Sequence, residues 1–187
     1  MTRATLCVPA MMMMAGVAVL AQGQSPNFSG TWKLDPSRSR MVEPAGLAGV
    51  IATGAPETLH ITHALNGTVV LESEMNEGHA RLYTPGGKSV TPVGQGGSIT
   101  MTSQSEGRTL VSEGTQQDAS GVSMSVKELL ALSPDGRTLT IDVTKTSGSD
   151  TKASTLTYTR TNDVRPCESW PTPCKAWPAP AGTKFGH

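Results

Sequence analysis

From residue 57 onward, apolar and polar side chains alternate in short runs that turn residues separate. An apolar side chain at every second position is typical of a β-strand with one buried face. Asn66-Gly67 predicts a tight hairpin, and Ser133-Pro134-Asp135-Gly136 has the residue preferences of a type I turn. The positions that share a face are Leu59, Ile61, His63 and Leu65; Val69, Leu71, Ser73 and Met75; Val122, Met124, Val126, Glu128 and Leu130; Leu139, Ile141 and Val143; and Leu156, Tyr158 and Arg160.

Regular spacing and short turns predict an all-β domain of about 8–10 antiparallel strands, folded as a sandwich or a barrel. The second face of these strands is rich in Thr and Ser, which indicates a sheet with water on one side. Aromatic residues make up 4% of the chain, and runs that favour helices are few, so composition supports strands and turns over helices.

Two segments depart from this alternation. Asp35 to Pro56 contains three prolines around a weakly apolar stretch, and it predicts a short helix or a mobile loop over one mouth of the barrel. Residues 163–187 contain five prolines with Trp170 and Trp177, so this tail is neither a helix nor a central strand. We expect the tail tryptophans to pack on the barrel or to be only loosely ordered, and the alternative is a surface for a partner or a sugar.

The first 23 residues have the three-part layout of a secretory signal peptide. Arg3 supplies the positive charge, residues 6–21 are almost wholly apolar, and cleavage is predicted after Ala21 or after Gly23. The apolar run is shorter than the roughly 20 residues of a membrane-spanning helix. We therefore expect a secreted or periplasmic protein, with a domain over residues 26–162 and no transmembrane segment in the mature chain.

Two cysteines remain after such cleavage, Cys167 and Cys174 in the tail. An isolated pair in an oxidising compartment predicts a disulfide. The alternative, a zinc site, needs about four ligands, and the histidine nearest to the pair is His187. The sequence therefore predicts a disulfide and no metal.

The charged residues balance, with 15 Lys and Arg against 15 Asp and Glu. No basic stripe is present that would attract nucleic acid or an anionic lipid surface. Motifs for a serine nucleophile, a zinc protease or a phosphate-binding loop are also missing. We therefore expect no nucleic-acid partner, no cofactor and no enzymatic activity, and we also expect a monomer. An enzyme on this fold is a third alternative, which would need His63 and Glu128 to converge in a cavity.

Three short motifs occur in an order that resembles a bacterial family of exported lipocalin-like proteins whose role is unknown. They are Asn27 to Leu34, Ser133 to Thr140, and Tyr158-Thr159-Arg160. Over residues 26–161 the chain also resembles, more broadly, the calycin superfamily of lipocalins and fatty-acid-binding proteins. This resemblance implies a single antiparallel up-and-down β-barrel.

In that superfamily, the tryptophan of a Gly-x-Trp opening plugs one end of the barrel, and a basic residue of the last strand lies across it. The resemblance assigns these structural roles to Gly30, Trp32 and Arg160. A guanidinium on an indole contributes about 1–2 kcal/mol when it is partly desolvated. Fatty-acid-binding relatives hold a carboxylate with Arg-x-Tyr on the final strand. The order here is reversed, which does not match that clamp.

Three polar residues, His63, Glu128 and Tyr158, share faces with apolar residues that point inward. Buried polar groups need partners, so these side chains predict a site that orients the polar head of a small ligand, with Met101 and Met124 covering its apolar part. Alternatively they lie at strand ends, or Glu128 pairs with Arg160. The functional hypothesis is binding of a small apolar or amphipathic molecule, and the alternative is an envelope or extracellular interaction module with a filled barrel.

Overall fold

The computed structural model of the protein describes five parts of the chain, which together contain ten β-strands. These parts are residues 26–47, 54–64, 66–73, 80–93 and 96–161. The strands are β1 (Gly30–Leu34), β2 (Thr58–His63), β3 (Val69–Ser73), β4 (Arg81–Tyr83), β5 (Lys88–Val93), β6 (Gly97–Glu106), β7 (Thr109–Gln117), β8 (Ser123–Leu132), β9 (Thr138–Ser147) and β10 (Asp150–Arg160).

The ten strands form one antiparallel sheet in the order β4-β3-β2-β1-β10-β9-β8-β7-β6-β5. Neighbours in the sheet follow each other along the chain except at β1 and β10, where Trp32 lies opposite Arg160. The two edge strands, β4 and β5, approach each other, and beside this seam the Gly86 amide donates to the Ser103 carbonyl at 2.7 Å. The protein is therefore a nearly closed up-and-down barrel, which confirms the predicted fold class and is consistent with a calycin-like fold.

Strand alternation decides which side chains enter the barrel. On β9, Leu139, Ile141 and Val143 are fully buried, whereas Thr140 and Asp142 between them are partly exposed. Seventeen buried side chains of this kind make one continuous apolar core. Those side chains are Phe28, Trp32, Ala45, Leu47, Leu59, Ile61, Val69, Leu71, Tyr83, Leu110, Leu130, Leu132, Leu139, Ile141, Val143, Leu156 and Tyr158.

Strand β5 was not predicted from the sequence. It contains Pro92 and lies between glycine-rich turns, and both features argue against a strand in isolation. Proline has no backbone N–H to donate. The strand can form because β5 is at the edge of the sheet, so the missing N–H does not deprive a neighbouring strand of a hydrogen bond. Strand β7 depends on Gly114, since a Cβ there would come within 1.8 Å of the Thr100 carbonyl oxygen of β6.

The segment after β1 covers the end of the barrel at which the β1–β2 connection lies, which we call the loop end. A turn of 3-10 helix, Pro36–Arg38, begins at Asp35, whose carboxylate accepts from the Ser37 amide at 3.1 Å. Farther along, Ala45 and Leu47 are buried in the apolar core. The described part of the predicted loop therefore packs into the barrel mouth, and residues 48–53 lie outside the described parts.

Several sequence predictions fall on parts of the chain that the structure does not describe. The signal peptide, residues 1–23, the tail, residues 163–187, and the Cys167–Cys174 disulfide all stay predictions. Within the five described parts, no helix has the length and apolar character needed to cross a membrane.

Candidate functional site

The end of the barrel opposite the loop end is closed by Trp32 and Arg160. The guanidinium carbon of Arg160 lies 4.6 Å from the centre of the Trp32 ring, and the indole N–H donates to the Phe28 carbonyl at 3.0 Å. Gly30 has φ +146°, a backbone conformation that side-chain-bearing residues rarely adopt. The structure thus brings together Gly30, Trp32 and Arg160 at this end of the barrel. We call this the closed end.

A hydrogen-bonded group of charged and polar side chains connects β4 to β8 through the inside of the barrel. The Glu128 carboxylate of β8 accepts from the Arg81 guanidinium at 2.7 Å and from the Tyr83 hydroxyl at 2.6 Å, both on β4. The Arg81 and Glu128 side chains are 1% and 0% exposed, so the pair is dry. Glu128 thus pairs with Arg81 and not with Arg160, the partner considered from the sequence.

The charges of this group set its protonation. Burial alone would lower the pKa of Arg81, but the Glu128 carboxylate raises it above its ordinary value. Burial and then the charge of Glu128 raise the pKa of Tyr83 well above its ordinary value, so the phenol remains a hydrogen-bond donor. The polar layer continues on β6 and β7, where the buried hydroxyls of Ser103 and Ser112 lie 2.8 Å apart.

Lys145 lies one inward position beyond this layer, toward the loop end, where it is opposite Val126. It is 4% exposed, and its ammonium makes no ion pair or hydrogen bond with the described residues. Burial lowers the pKa of Lys145 to about 8, while the charges of Glu128 and Glu43 raise it and the charge of Arg81 lowers it. The Lys145 ammonium is therefore a buried cation near the Arg81–Glu128 pair, whose two charges neutralise each other.

Apolar side chains surround the position of Lys145 on the neighbouring strands. Ile99, Met101 and Val126 form a small buried cluster of their own, separate from the main core. Val93 and Met124 pack against this cluster and are only partly buried. The barrel interior toward the loop end therefore combines an apolar wall with a cation, and we call it the loop-end compartment.

The predicted site residues divide between the two ends of the barrel. Met101 and Met124 line the loop-end compartment, and Glu128 lies at its base. His63 instead packs against the Phe28 ring at the closed end, with ring centres 5.8 Å apart, and burial lowers its pKa. The Tyr158 hydroxyl donates to the Pro56 carbonyl at 3.1 Å inside the main core. His63 and Tyr158 are therefore not brought to the compartment.

Sequence reasoning missed three residues of the interior charge cluster: Arg81, Tyr83 and Lys145. Lys145 continues the alternation of Leu139, Ile141 and Val143 by one step, and that spacing alone indicates an inward lysine. Arg81 and Tyr83 belong to a strand of only three residues, which is too short for alternation to assign a face. Within the described ranges, no group of three His, Cys, Asp or Glu side chains is placed to hold a metal ion.

Two cavities lie on the outer wall. One, of about 280 Å³, is lined by Thr102, Ser103, Gln104, Val111 and Glu113. The other, of about 380 Å³, is lined by Glu113, Gly114, Ser125, Val126, Lys127, Thr144 and Thr146. Most of these side chains alternate with inward ones and face solvent, so both cavities are polar surface depressions rather than part of the barrel interior.

Similarity to known proteins adds no assignment to this geometry. A scan against models of protein families and a search of curated protein sequences both found no match to the chain. What the protein does is therefore inferred from the nearly closed barrel and from the charges and apolar side chains inside it.

Proposed function

We propose that the protein binds a small amphipathic molecule in the loop-end compartment, with an anionic head group beside Lys145. The apolar part of the ligand then lies against Met101 and Val126, which belong to the small cluster on the same side of the polar layer. Binding sites of this kind combine an apolar lining with a few polar groups that orient the ligand.

The observation that carries the proposal is the buried ammonium of Lys145. Placing a cation in a dry interior without an anionic partner costs free energy, and such groups concentrate at functional sites. Arg81 does not raise the same question, because Glu128 balances its charge at 2.7 Å. Glu43 also acts on the pKa of Lys145 as an anion, but no described carboxylate lies within ion-pair distance of the ammonium. An anionic head group supplies that contact.

The same charges select between classes of ligand. A neutral apolar molecule gains contact with Met101 and Met124 but leaves the Lys145 ammonium unpaired. An anionic amphiphile gains the same contacts and adds a charge-assisted hydrogen bond, which is about twice as strong as a neutral one. We therefore expect a preference for carboxylates or other small anions that carry an apolar chain.

We further propose that the protein acts after export, in the periplasm or outside the cell, as a monomeric carrier without enzymatic activity. The predicted signal peptide over residues 1–23 supports export. Thiol labelling of the protein from its native source tests this part, because free thiols at Cys167 and Cys174 would contradict passage through an oxidising compartment.

Calorimetric titration tests ligand binding directly, with dodecanoate compared with dodecanol, which has the same chain but no charge. We expect dodecanoate to bind more tightly to the unmodified protein. Lys145→Met should abolish that preference. The control is Lys152→Met, because Lys152 pairs with Lys145 in the sheet but carries a half-exposed ammonium bound to Asp150 at 3.1 Å. Equal affinity for the acid and the alcohol in the unmodified protein would overturn the proposal.

A second candidate is an interaction or structural module that carries no ligand. It is favoured by the main core, in which seventeen buried side chains pack inside the barrel, including Ala45 and Leu47 from the segment at the loop end. Native mass spectrometry of protein purified from its source separates the two candidates. A bound small molecule that is lost in Lys145→Met supports carriage. Ligand-free protein in repeated preparations, together with no binding of dodecanoate, supports the filled module.

A further inference from the structure

Most outward side chains of β2 and β3, with Thr31 of β1 and Ala80 just before β4, are buried, in contrast to most outward side chains of β6 to β8. Outward side chains on β6 to β8, such as Thr102, Gln104 and Lys127, are exposed to solvent. On β2 and β3 the outward side chains are 0–8% exposed, apart from Thr58 at the start of β2, which is partly exposed. We call this set the covered face, and it consists of Thr31, His60, Thr62, Thr68, Val70, Glu72 and Ala80.

These side chains belong to the outside of the barrel because they alternate with core residues. His60 lies opposite Thr31 and Glu72 in the sheet, between the inward Leu59 and Ile61. Val70 and Ala80 form an apolar cluster that is separate from the main core. Neighbouring strands shield the edges of a side chain but leave its outer side open, so another part of the chain or a partner must lie over this face.

The covered face has a defined chemistry. Its centre is apolar at Val70 and Ala80, and the Glu72 carboxyl is 1% exposed beside them. The Glu72 Oε2 and Thr68 Oγ1 atoms have no hydrogen-bond partner within the described residues. Burial raises the pKa of Glu72 to about 8. The face therefore suits a cover that presents large apolar side chains together with hydrogen-bond donors or cations.

We propose that the C-terminal tail, residues 162–187, docks on the covered face and is an integral part of the domain. The tail begins beside the face, because the Thr161 amide donates to the Thr31 carbonyl at 2.9 Å, and the Thr161 hydroxyl contacts the same oxygen at 3.2 Å. The distance from β1 to β4 is three strand spacings, about 14 Å. An extended chain covers that distance in about five residues, and 26 residues follow Thr161.

The composition of the tail complements the covered face. Trp170 and Trp177 supply large apolar surfaces. Their indole N–H groups are able to donate hydrogen bonds to the Glu72 and Thr68 side-chain oxygens, which have no partner within the described residues. Five prolines reduce the number of backbone amides that burial would leave without an acceptor. The tail also carries cations, at Arg165, Lys175 and Lys184, for a buried carboxylate. Residues 1–25 precede the described chain, which starts at Pro26, and most of them belong to the predicted signal peptide.

The test measures thiol labelling at one buried outer position in the chain without residues 1–23. A site for a specific protease is inserted after Thr161, and Val70→Cys reports on the covered face. Thr102→Cys, on the exposed outer wall, is the matched control, and peptide mapping separates these thiols from those of the tail. We expect Val70→Cys to be protected in the intact chain. After cleavage and removal of the tail, its labelling rate should rise toward that of Thr102→Cys.

Each other outcome contradicts the proposal. Rapid labelling of Val70→Cys in the intact chain means that the face is open, and protection that survives removal of the tail means that another segment covers it. Protection that requires residues 1–23 assigns the face to the leader, and protection that rises with protein concentration assigns it to a second copy. Where Val70→Cys fails to fold, Thr62→Cys serves in its place, because it lies opposite Val70 on β2 and changes the side-chain volume little.

Discussion

Two ion pairs of nearly equal length lie on opposite faces of strand β8. Lys127 points outward and meets Glu113 at 2.6 Å, with side chains that are 50% and 60% exposed. Its neighbour Glu128 points inward and meets Arg81 at 2.7 Å, with both side chains almost fully buried. Water and salt screen the outer pair, whereas the inner pair depends on mutual attraction to offset the loss of hydration.

The length of an ion pair therefore says little about what the pair does. The outer pair joins β7 to β8, which backbone hydrogen bonds already connect. The inner pair joins the edge strand β4 to β8 across the interior, where the backbone makes no connection. The inner pair therefore holds the barrel together near its seam, and it also fixes the charge that Lys145 meets. Four replacements of cations by Met, a residue of similar length, test this comparison.

Arg81→Met should have the largest effect. It leaves the Glu128 carboxylate buried without its cation, and we expect the free energy of unfolding to fall by about 3–5 kcal/mol. Urea denaturation followed by circular dichroism measures the change. The double variant Arg81→Met/Glu128→Leu should recover most of the loss. A single variant as stable as the parent would mean that the inner pair does not hold the barrel together.

Lys145→Met should act in the opposite direction and stabilise the ligand-free protein at pH 7. The folded-state pKa of about 8 lies below the ordinary 10.5, so burial of the ammonium costs stability in full below pH 8. As the pH rises from 8 to 10.5, this cost disappears. The variant should therefore gain up to about 3 kcal/mol at pH 7 and much less at pH 10.5. Thermal unfolding at both pH values measures this, and a gain that is independent of pH would contradict the assignment.

Arg160→Met should have an intermediate effect. It removes the guanidinium from the Trp32 ring at the closed end, and we expect a loss of about 1–2 kcal/mol. Urea denaturation again gives the value, and the emission of Trp32 should shift because its ring gains contact with water. A loss as large as that of Arg81→Met would show that the closed end and the polar layer contribute equally.

Lys127→Met should have the smallest effect, below about 1 kcal/mol. The outer pair is open to solvent, so its contribution should also vanish when unfolding is measured in high salt. Stability that falls by several kcal/mol, or a loss that persists in high salt, would remove the contrast between the two faces of β8.

The sequence predicted the parts of the molecule that depend on local order. Alternation at Leu139, Ile141 and Val143 predicted the inward face of β9, several such runs predicted a sandwich or a barrel, and the resemblance to calycins selected the barrel. The pairing of Arg81 with Glu128 was beyond such reasoning, because 47 residues separate the two and only the curvature of the whole sheet brings them together. The same holds for the covered face, where alternation assigns His60 and Glu72 to the solvent side but gives no sign of a cover.

The pairing of β1 with β10 has a consequence for the time at which the barrel is completed. Trp32 meets Arg160 near the middle of the sheet, so closure waits until almost the whole domain has been synthesised. Contacts between residues so far apart in sequence are slow to form. The barrel of a nascent chain therefore stays incomplete until β10 has been synthesised. That interval would allow the proposed export of the chain in an unfolded state.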